Sequence, residues 1–223
     1  MEPRDHFVYI MISQTHTGFA MALRRVGGLH YNHASIALDD RLNHLYSFAR
    51  PNYRTPMLAR LNRESVSRYT LLRERFVDVV IFRLPVTQAQ YEWARAAIRQ
   101  VEQDEEYLYN LFSVLTHPLT GGFCTYKSFS CIEFVMYLLQ GMGIKLDQPL
   151  YRYKPGDLLT LFPQHLHFQG NLLDYCPEGE DPDYFAPVST HVVMLSSVRV
   201  LGQLLFRLVC RPHCYESLPD TLP

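Results

Sequence analysis

The sequence predicts an α+β fold in which an antiparallel sheet packs against helices, and three features of the chain support this. A continuous apolar run occupies residues 7–12, as in a buried strand, and two further runs at residues 33–38 and 44–49 are spaced as a hairpin. Capping patterns then mark the starts of two helices, at Thr87 and at Ser130. Strands that precede helices in this way are typical of α+β domains.

The first half of the chain holds the predicted strands. The runs at 33–38 and 44–49 are joined by a turn over residues 39–43, which is rich in Asp and Asn. Residues 76–84 form a further run rich in valine, and we expect Pro85 to end it because proline cannot donate to a strand ladder. Together with the first apolar run, these segments supply the predicted sheet.

Helices are predicted mainly in the second half. Thr87 and Gln90 form a capping box for a helix that runs to about Gln103. Residues 107–115 are a candidate short helix, and residues 118–122 are a predicted loop because they combine proline with two glycines. A late strand is expected at residues 166–175, with a break near Gly170 and Asn171.

The helix after Ser130 is the first candidate functional element. Ser130 and Glu133 form a second capping box, which makes Cys131 the first helical residue, and the helix is expected to stop near Gly141 or Gly143. A sulfur at that position faces unpaired backbone N–H groups and the positive end of the helix dipole, and both favour a thiolate. Packing of Cys131 as a small buried side chain is the alternative.

A histidine that can activate this thiol opens the strand at residues 33–38. Covalent catalysis by cysteine needs a base within hydrogen-bond reach, and His33 is the candidate base for Cys131. The sequence therefore predicts a cysteine hydrolase, provided that folding brings the imidazole of His33 against the sulfur of Cys131.

Composition agrees with a single enzyme domain spanning residues 1–223, in which residues 188–223 are a C-terminal extension of uncertain role. The chain is 48% hydrophobic with a formal net charge of −1, which gives no general attraction to nucleic acid. The N-terminus lacks the features of a secretory signal, so we expect a cytoplasmic protein whose five cysteines are reduced. The sequence does not indicate an oligomeric state.

Charge is unevenly distributed along the chain. Residues 50–75 contain seven arginines but only Glu64 and Glu74 as acids, and residues 174–183 contain five acids and no base. Intramolecular pairing between such segments is one interpretation. An arginine-lined mouth for an acidic substrate is the other.

The order of the two motifs resembles that of a known family. The stretch from Tyr31 to Asp39 around His33, followed much later by the stretch from Cys131 to Val135, resembles the circularly permuted papain-like cysteine hydrolases of the YiiX type, within the NlpC superfamily. The likeness covers roughly residues 7–175. Supporting stretches, in the same order, are residues 46–50, 109–111 and 155–158.

This resemblance implies a third catalytic position on the strand that follows the histidine strand, where a polar residue orients the imidazole. It assigns that position to Ser47, with His44 or a backbone group as alternatives. Because strand residues alternate between faces, Ser47 and His44 cannot both point at His33. A serine hydroxyl would give only a neutral hydrogen bond to the imidazole.

The resemblance implies an amidase or peptidase that acts on a small-molecule or peptide substrate without a cofactor or a metal. Cys210, His213 and Cys214 lack the second half-site that a zinc site needs. A lipid-acting acyltransferase or thioesterase is an alternative, because the apolar segment at residues 188–210 is compatible with contact at a membrane surface. A catalytically inactive binding module is the third possibility.

Overall fold

A computed structural model of the chain describes residues 4–15, 30–177, 179 and 181–210. Within these residues the strands are β1 (His6–Ser13), β2 (His33–Ala37), β3 (Leu45–Ala49), β4 (Arg60–Glu64), β5 (Asp78–Val86), β6 (Leu108–Tyr109), β7 (Ser128–Phe129) and β8 (Leu166–Asn171). The helices are α1 (Val66–Thr70), α2 (Gln88–Gln103), α3 (Leu111–Thr120), α4 (Cys131–Gly141), α5 (Leu158–Leu161), α6 (Leu172–Tyr175), α7 (Pro182–Phe185) and α8 (Thr190–Cys210).

The fold is α+β, as the sequence predicts. Six strands form one sheet in the order β4-β3-β2-β1-β5-β8, and every neighbouring pair is antiparallel. The short strands β6 and β7 form a separate parallel pair. Helix α4, which begins at Cys131, packs against β2 and β3.

Alternation along the strands gives the sheet two apolar faces. One face packs against α2 and α4 and forms the larger core, to which β1 contributes Val8, Ile10 and Ile12. The other face forms a smaller core, to which β1 contributes Tyr9 and Met11. Both faces of β1 are therefore buried, which explains its nearly continuous apolar sequence.

The predicted end of the strand at Pro85 is wrong, because β5 continues to Val86. Proline is tolerated there because β5 pairs with β8 only over Asp78–Phe82, so the edge of β5 at Pro85 has no neighbouring strand on that side. On the other side Pro85 lies opposite Phe7 of β1.

The loop predicted at residues 118–122 is also partly wrong, because α3 continues through Pro118 to Thr120. Gly121 ends this helix with a φ of 71°, in the left-handed region that glycine adopts readily, and its N–H donates to the carbonyl of His117 at 2.9 Å. The predicted late strand stops at Asn171, where α6 begins, close to the expected break.

Only one face of helix α8 packs against the described part of the protein, next to β6 and β7. Val200 and Leu204 pack against Leu108 and Leu111, and the guanidinium of Arg207 donates to the backbone carbonyls of residues 106, 126 and 127. By length and composition, α8 is the one helix of the described residues that could cross a membrane. Its opposite face is apolar and exposed at Met194, Leu195, Val198, Leu205, Phe206 and Val209.

The expectation of five reduced cysteines is wrong for Cys124, which is disulfide-bonded. Spacing in the sequence cannot show which thiols folding brings together. Cys131, Cys176 and Cys210 are free thiols, so the candidate nucleophile is available for chemistry.

Candidate active site

Cys131 is held at the start of α4 by the capping box that the sequence predicts. The Ser130 hydroxyl accepts from the Glu133 backbone N–H at 3.2 Å, and the Glu133 carboxylate accepts from the Ser130 N–H at 2.6 Å. These bonds confirm Cys131 as the first helical residue. As the first residue of an α-helix, its own N–H has no acceptor within that helix.

His33 is the first residue of β2, and its side chain is only 13% exposed. Its Nε2 atom lies 3.1 Å from Oε2 and 3.3 Å from Oε1 of Glu64, so the imidazole is held against a carboxylate. Glu64 is the last residue of β4 and its side chain is 5% exposed.

Two further hydroxyl groups fix the Glu64 carboxylate. Ser35 donates to Oε2 at 2.8 Å, and Tyr69 donates to the same atom at 2.6 Å. Buried carboxylates are stable in proteins only when they are paired and hydrogen-bonded, and Glu64 meets both conditions. The position of the carboxylate is therefore determined by three side chains, those of His33, Ser35 and Tyr69.

The structure brings Cys131 and His33 together. Burial alone would lower the pKa of His33, but the charge of Glu64 and the charge and hydrogen-bonding capacity of Cys131 raise it from 6.5 to about 10. The imidazole therefore interacts with Glu64 through a hydrogen bond and with Cys131 electrostatically.

The pKa of Glu64 moves in the opposite direction. Burial would raise it, but the positive charge of His33, hydrogen bonds from His33 and Tyr69, and the nearby Ser47 hydroxyl lower it from 4.5 to about 2. The buried pair is therefore an imidazolium and a carboxylate at neutral pH. The two pKa shifts have opposite directions because the contact joins opposite charges.

The structure does not place Ser47 against His33. Its hydroxyl is buried without a well-formed hydrogen bond, although it lies close enough to Glu64 to lower the pKa of that carboxyl. Ser47 of β3 pairs with Asn62 of β4, and Glu64 follows Asn62 by two residues. Because strand side chains alternate, Ser47 and Glu64 therefore lie on the same face of the sheet. Glu64 therefore takes the orienting position that the resemblance assigns to Ser47.

The alternative residue His44 also lies away from His33. His44 precedes β3, and its Nδ1 atom lies 3.0 Å from the carboxylate of Asp39 in the turn between β2 and β3. Its side chain is 54% exposed. The backbone-group alternative is unnecessary, since a carboxylate already contacts the imidazole.

Sequence reasoning missed Glu64 because β4 was not recognised as a strand. The strand reads Arg-Leu-Asn-Arg-Glu and pairs only with β3, as an edge strand of the sheet. Polar edge strands lack the apolar alternation by which strands are recognised. The only signal was an isolated acid, Glu64, within a segment rich in arginine.

Tyr109 is a second site residue that the sequence did not single out for chemistry. The parallel pairing of β6 and β7 sets Tyr109 beside Phe129, two residues before Cys131. Burial raises the pKa of Tyr109 well above 10, and the charges of Cys131 and Glu133 and a hydrogen bond to Cys131 raise it further. Its hydroxyl therefore remains a proton donor beside the sulfur.

Two cavities meet at this site. A cavity of about 160 Å³ is lined by His33 and Glu64, and a second of about 300 Å³ is lined by Cys131. Asn32 and Tyr109 line both, so the thiol and the imidazole lie where the two cavities adjoin. Such a junction can hold the two parts of a substrate on either side of one reacting bond.

The described residues contain no group of three His, Cys, Asp or Glu side chains that could hold a metal ion. Of Cys210, His213 and Cys214, the last two lie outside the described residues. In the described residues, the side chains of this site are a thiol, an imidazole and a carboxylate, those of Cys131, His33 and Glu64.

No model of a known protein family matches the chain, and no curated protein or solved structure is significantly similar to it.

Proposed function

We propose that the protein is a cysteine hydrolase that cleaves an amide bond by acyl transfer to Cys131 and then to water. The observation that carries this proposal is the buried pair of His33 and Glu64, whose imidazole also interacts electrostatically with Cys131. A nucleophile, a base and a group that orients the base form the minimum set for such catalysis.

The proposed reaction proceeds in two steps. In the first, the Cys131 sulfur attacks the substrate carbonyl, His33 carries the thiol proton, and that proton passes to the leaving amine as the carbon–nitrogen bond breaks. In the second, water attacks the resulting thioester, His33 takes a proton from the water, and the sulfur leaves as the free acid forms. Cys131 and His33 then return to their initial state.

Glu64 gives this mechanism a stronger orienting group than a serine would. A buried carboxylate holds the ring by a charge-assisted bond to Nε2 and stabilises the imidazolium. Since Nε2 is engaged by Glu64, Nδ1 is the nitrogen left to exchange a proton with Cys131. The weak orienting serine was the reason to consider an inactive binding module, and Glu64 removes that reason.

The oxyanion that forms during attack needs hydrogen-bond donors at the sulfur. The Cys131 N–H at the start of α4 has no acceptor within that helix, and the Tyr109 hydroxyl interacts with Cys131. We propose that they stabilise the tetrahedral intermediate. The permuted papain-like fold, and a peptide or small-molecule amide as substrate, are part of the same proposal and are supported by the resemblance of the motifs.

The test is site-selective labelling with an amide-directed electrophile, followed by mass spectrometry of the modified peptides. We expect labelling of Cys131 ahead of the free thiols Cys176 and Cys210, and its loss in His33→Ala. Glu64→Gln should slow labelling strongly, whereas Glu74→Gln, at a half-buried acid that is paired with Arg73, serves as the matched control. Equal labelling of every accessible thiol would support the inactive module instead.

Turnover provides the second arm of this test. Once a substrate is found, Cys131→Ser should abolish hydrolysis while leaving the fold intact, as judged by circular dichroism and thermal melting. The hydroxyl of serine is a far weaker nucleophile than a thiolate at neutral pH. Retained hydrolysis by this variant would refute the role of Cys131.

A lipid-acting acyltransferase or thioesterase is the second candidate, favoured by the exposed apolar face of α8. Leu195 is 73% exposed and Val209 is 77% exposed on that face. If the substrate is a lipid, the protein should float with liposomes, and Leu195→Glu should abolish flotation. Leu119→Glu, at a 91% exposed apolar residue of α3, is the matched control.

A further inference from the structure

The cavity beside His33 contains two arginines as well as apolar walls. Arg50 and Arg68 both line it, together with apolar side chains that include Met57 and Leu71. Among the described residues of the lining, the one carboxylate is Glu64, which is already paired with His33. Arg68 pairs with Asp181, which lies outside the lining, so the lining itself carries an excess of positive charge.

Arg50 has no carboxylate within ion-pair distance among the described residues. Its Nη1 atom donates to the backbone carbonyl of Tyr53 at 3.3 Å, and the guanidinium lies 5.6 Å from the centre of the Tyr53 ring. These contacts hold the side chain in place but leave its charge unneutralised. A positioned, unpaired guanidinium at a cavity is suited to bind an anion.

Arg68 is held more firmly. Its Nε atom donates to Asp181 at 2.6 Å, and the guanidinium lies 4.7 Å from the centre of the Tyr184 ring. Its Nη1 atom is buried and has no hydrogen-bond partner among the residues that the structure describes. An unsatisfied buried donor is unfavourable, and an acceptor that enters the cavity removes the penalty.

The guanidinium groups of Arg50 and Arg68 both influence the pKa of Tyr184. Burial raises the pKa of Tyr184, and the charges of Arg50 and Arg68 oppose that rise. The two rings that the guanidinium groups contact, those of Tyr53 and Tyr184, have their centres 6.2 Å apart, so the two arginines lie at the same end of the cavity. The sequence suggested either pairing between the arginine-rich and acidic segments or an arginine-lined mouth for an acidic substrate. Arg68 pairs with Asp181 of the acidic segment, whereas Arg50 lines the cavity without such a pair among the described residues.

We propose that this cavity binds a carboxylate on the acyl part of the substrate, with Arg50 as the main partner and Arg68 as the second. The proposal rests on the proposed hydrolase function and names the substrate class of the same site. His33 and Tyr109 also line the cavity, and Tyr109 lines the second cavity, which contains Cys131, so an acyl group bound at the arginines can reach towards the thiol. The substrate is thus an amide with an acidic side chain or acidic end near the bond that is cleaved.

The test compares two electrophiles that differ only in this carboxylate, the chloromethyl ketones of N-acetylglutamate and N-acetylglutamine. Rates of Cys131 alkylation are measured by mass spectrometry at low and moderate salt. We expect the glutamate reagent to react about tenfold faster, the effect of one charge-assisted hydrogen bond. Higher salt should reduce this preference, because Arg50 is partly exposed to solvent.

Substitutions test whether the faster reaction of the glutamate reagent depends on this cavity. Arg50→Gln should bring the ratio of the two rates close to one, and Arg50→Lys should keep part of the preference because it keeps the charge. Arg73→Gln is the matched control, since Arg73 lies outside the cavity lining and is 65% exposed. This variant should keep the full preference of the unmodified protein.

The outcomes separate the two proposals. Equal rates for both reagents in the unmodified protein, or a preference that survives in Arg50→Gln, overturn the carboxylate site. In that case selective alkylation of Cys131 that depends on His33 still supports the hydrolase. Alkylation of Cys131 that is unchanged in His33→Ala contradicts the hydrolase itself.

Discussion

The carboxylate of Glu64 lies 3.1 Å from Nε2 of His33, although the two residues are separated by 31 positions in the chain. The two side chains meet because β4 pairs with β3 and β3 pairs with β2, which carries His33. The pair is buried, and the other nitrogen of the ring remains for the thiol of Cys131. Chemistry at the thiol therefore depends on the pairing of an edge strand.

The His33 and Glu64 pair predicts how the free energy of unfolding depends on pH. The pKa of Glu64 falls from 4.5 to about 2 on folding, so its stabilising effect is complete above pH 4.5 and is lost as the pH falls through about 2. The pKa of His33 rises from 6.5 to about 10, so its effect is complete below pH 6.5 and is lost as the pH rises through about 10.

Both contributions are complete only between pH 4.5 and pH 6.5. Thermal melting at a series of pH values should show the highest midpoint in this window, and the double variant His33→Gln with Glu64→Gln should show a flatter profile. A double variant whose midpoint follows the same pH curve as the unmodified protein would show that the pair does not carry this dependence.

Substitutions of Ser35 in β2 and Ser47 in β3 test which residue orients the imidazole of His33. The resemblance implies Ser47, whereas the geometry favours Glu64. Ser35 donates to Glu64 at 2.8 Å, whereas Ser47 forms no well-formed bond. Ser35→Ala should reduce the rate of Cys131 labelling about tenfold, the effect of a hydrogen bond to a charged group. Ser47→Ala should change the rate less than about twofold. The reverse order would restore Ser47 to the orienting position.

Two capping boxes in the same chain provide a controlled test of the helix start. Ser130 caps α4 at Cys131, and Thr87 caps α2 with the same pattern of hydrogen bonds. Ser130→Ala and Thr87→Ala should each lower the free energy of unfolding by about 1 kcal/mol in urea titrations. Only Ser130→Ala should also slow the alkylation of Cys131. Equal effects of both variants on alkylation would mean that stability, rather than the position of the sulfur, controls the reaction.

Two helical glycines should respond oppositely to the same substitution. A Cβ atom at Gly141, where α4 ends, would overlap the ring of Trp93 in α2, whereas nothing lies near a Cβ at Gly202 in α8. Gly141→Ala should destabilise the protein by about 1 to 3 kcal/mol through overpacking. Gly202→Ala should stabilise it by up to about 1 kcal/mol through helix propensity. Thermal melting of both variants is the measurement, and a stabilised Gly141→Ala would contradict the close packing of α4 against α2.

Local patterns predicted much of the fold. Both capping boxes, the first strand and the hairpin that carries His33 can be recognised because their signals lie within a few residues of each other. Cys131 and His33 interact electrostatically in the structure, but the residues alone suggested their pairing only as one interpretation. It was the order of the motifs in a similar family that made it the leading prediction.

The remaining features depend on contacts that are distant in the sequence. Glu64 lies in a polar edge strand, and the burial of its carboxylate depends on Tyr69 and Ser35, which no local pattern connects to it. Pro85 stays within a strand only because the neighbouring strand has already ended. Tertiary context decides such cases against local preference.

The anchoring of Arg207 limits how α8 can meet a lipid bilayer. Its guanidinium holds carbonyls of the segment that enters β7, and β7 leads within two residues to Cys131. A transmembrane orientation of α8 would pull this cation away and release the segment that positions the nucleophile. If the proposed hydrolase contacts a membrane, the Arg207 bonds are kept only when α8 lies parallel to the membrane surface, with its apolar outer face towards the lipid.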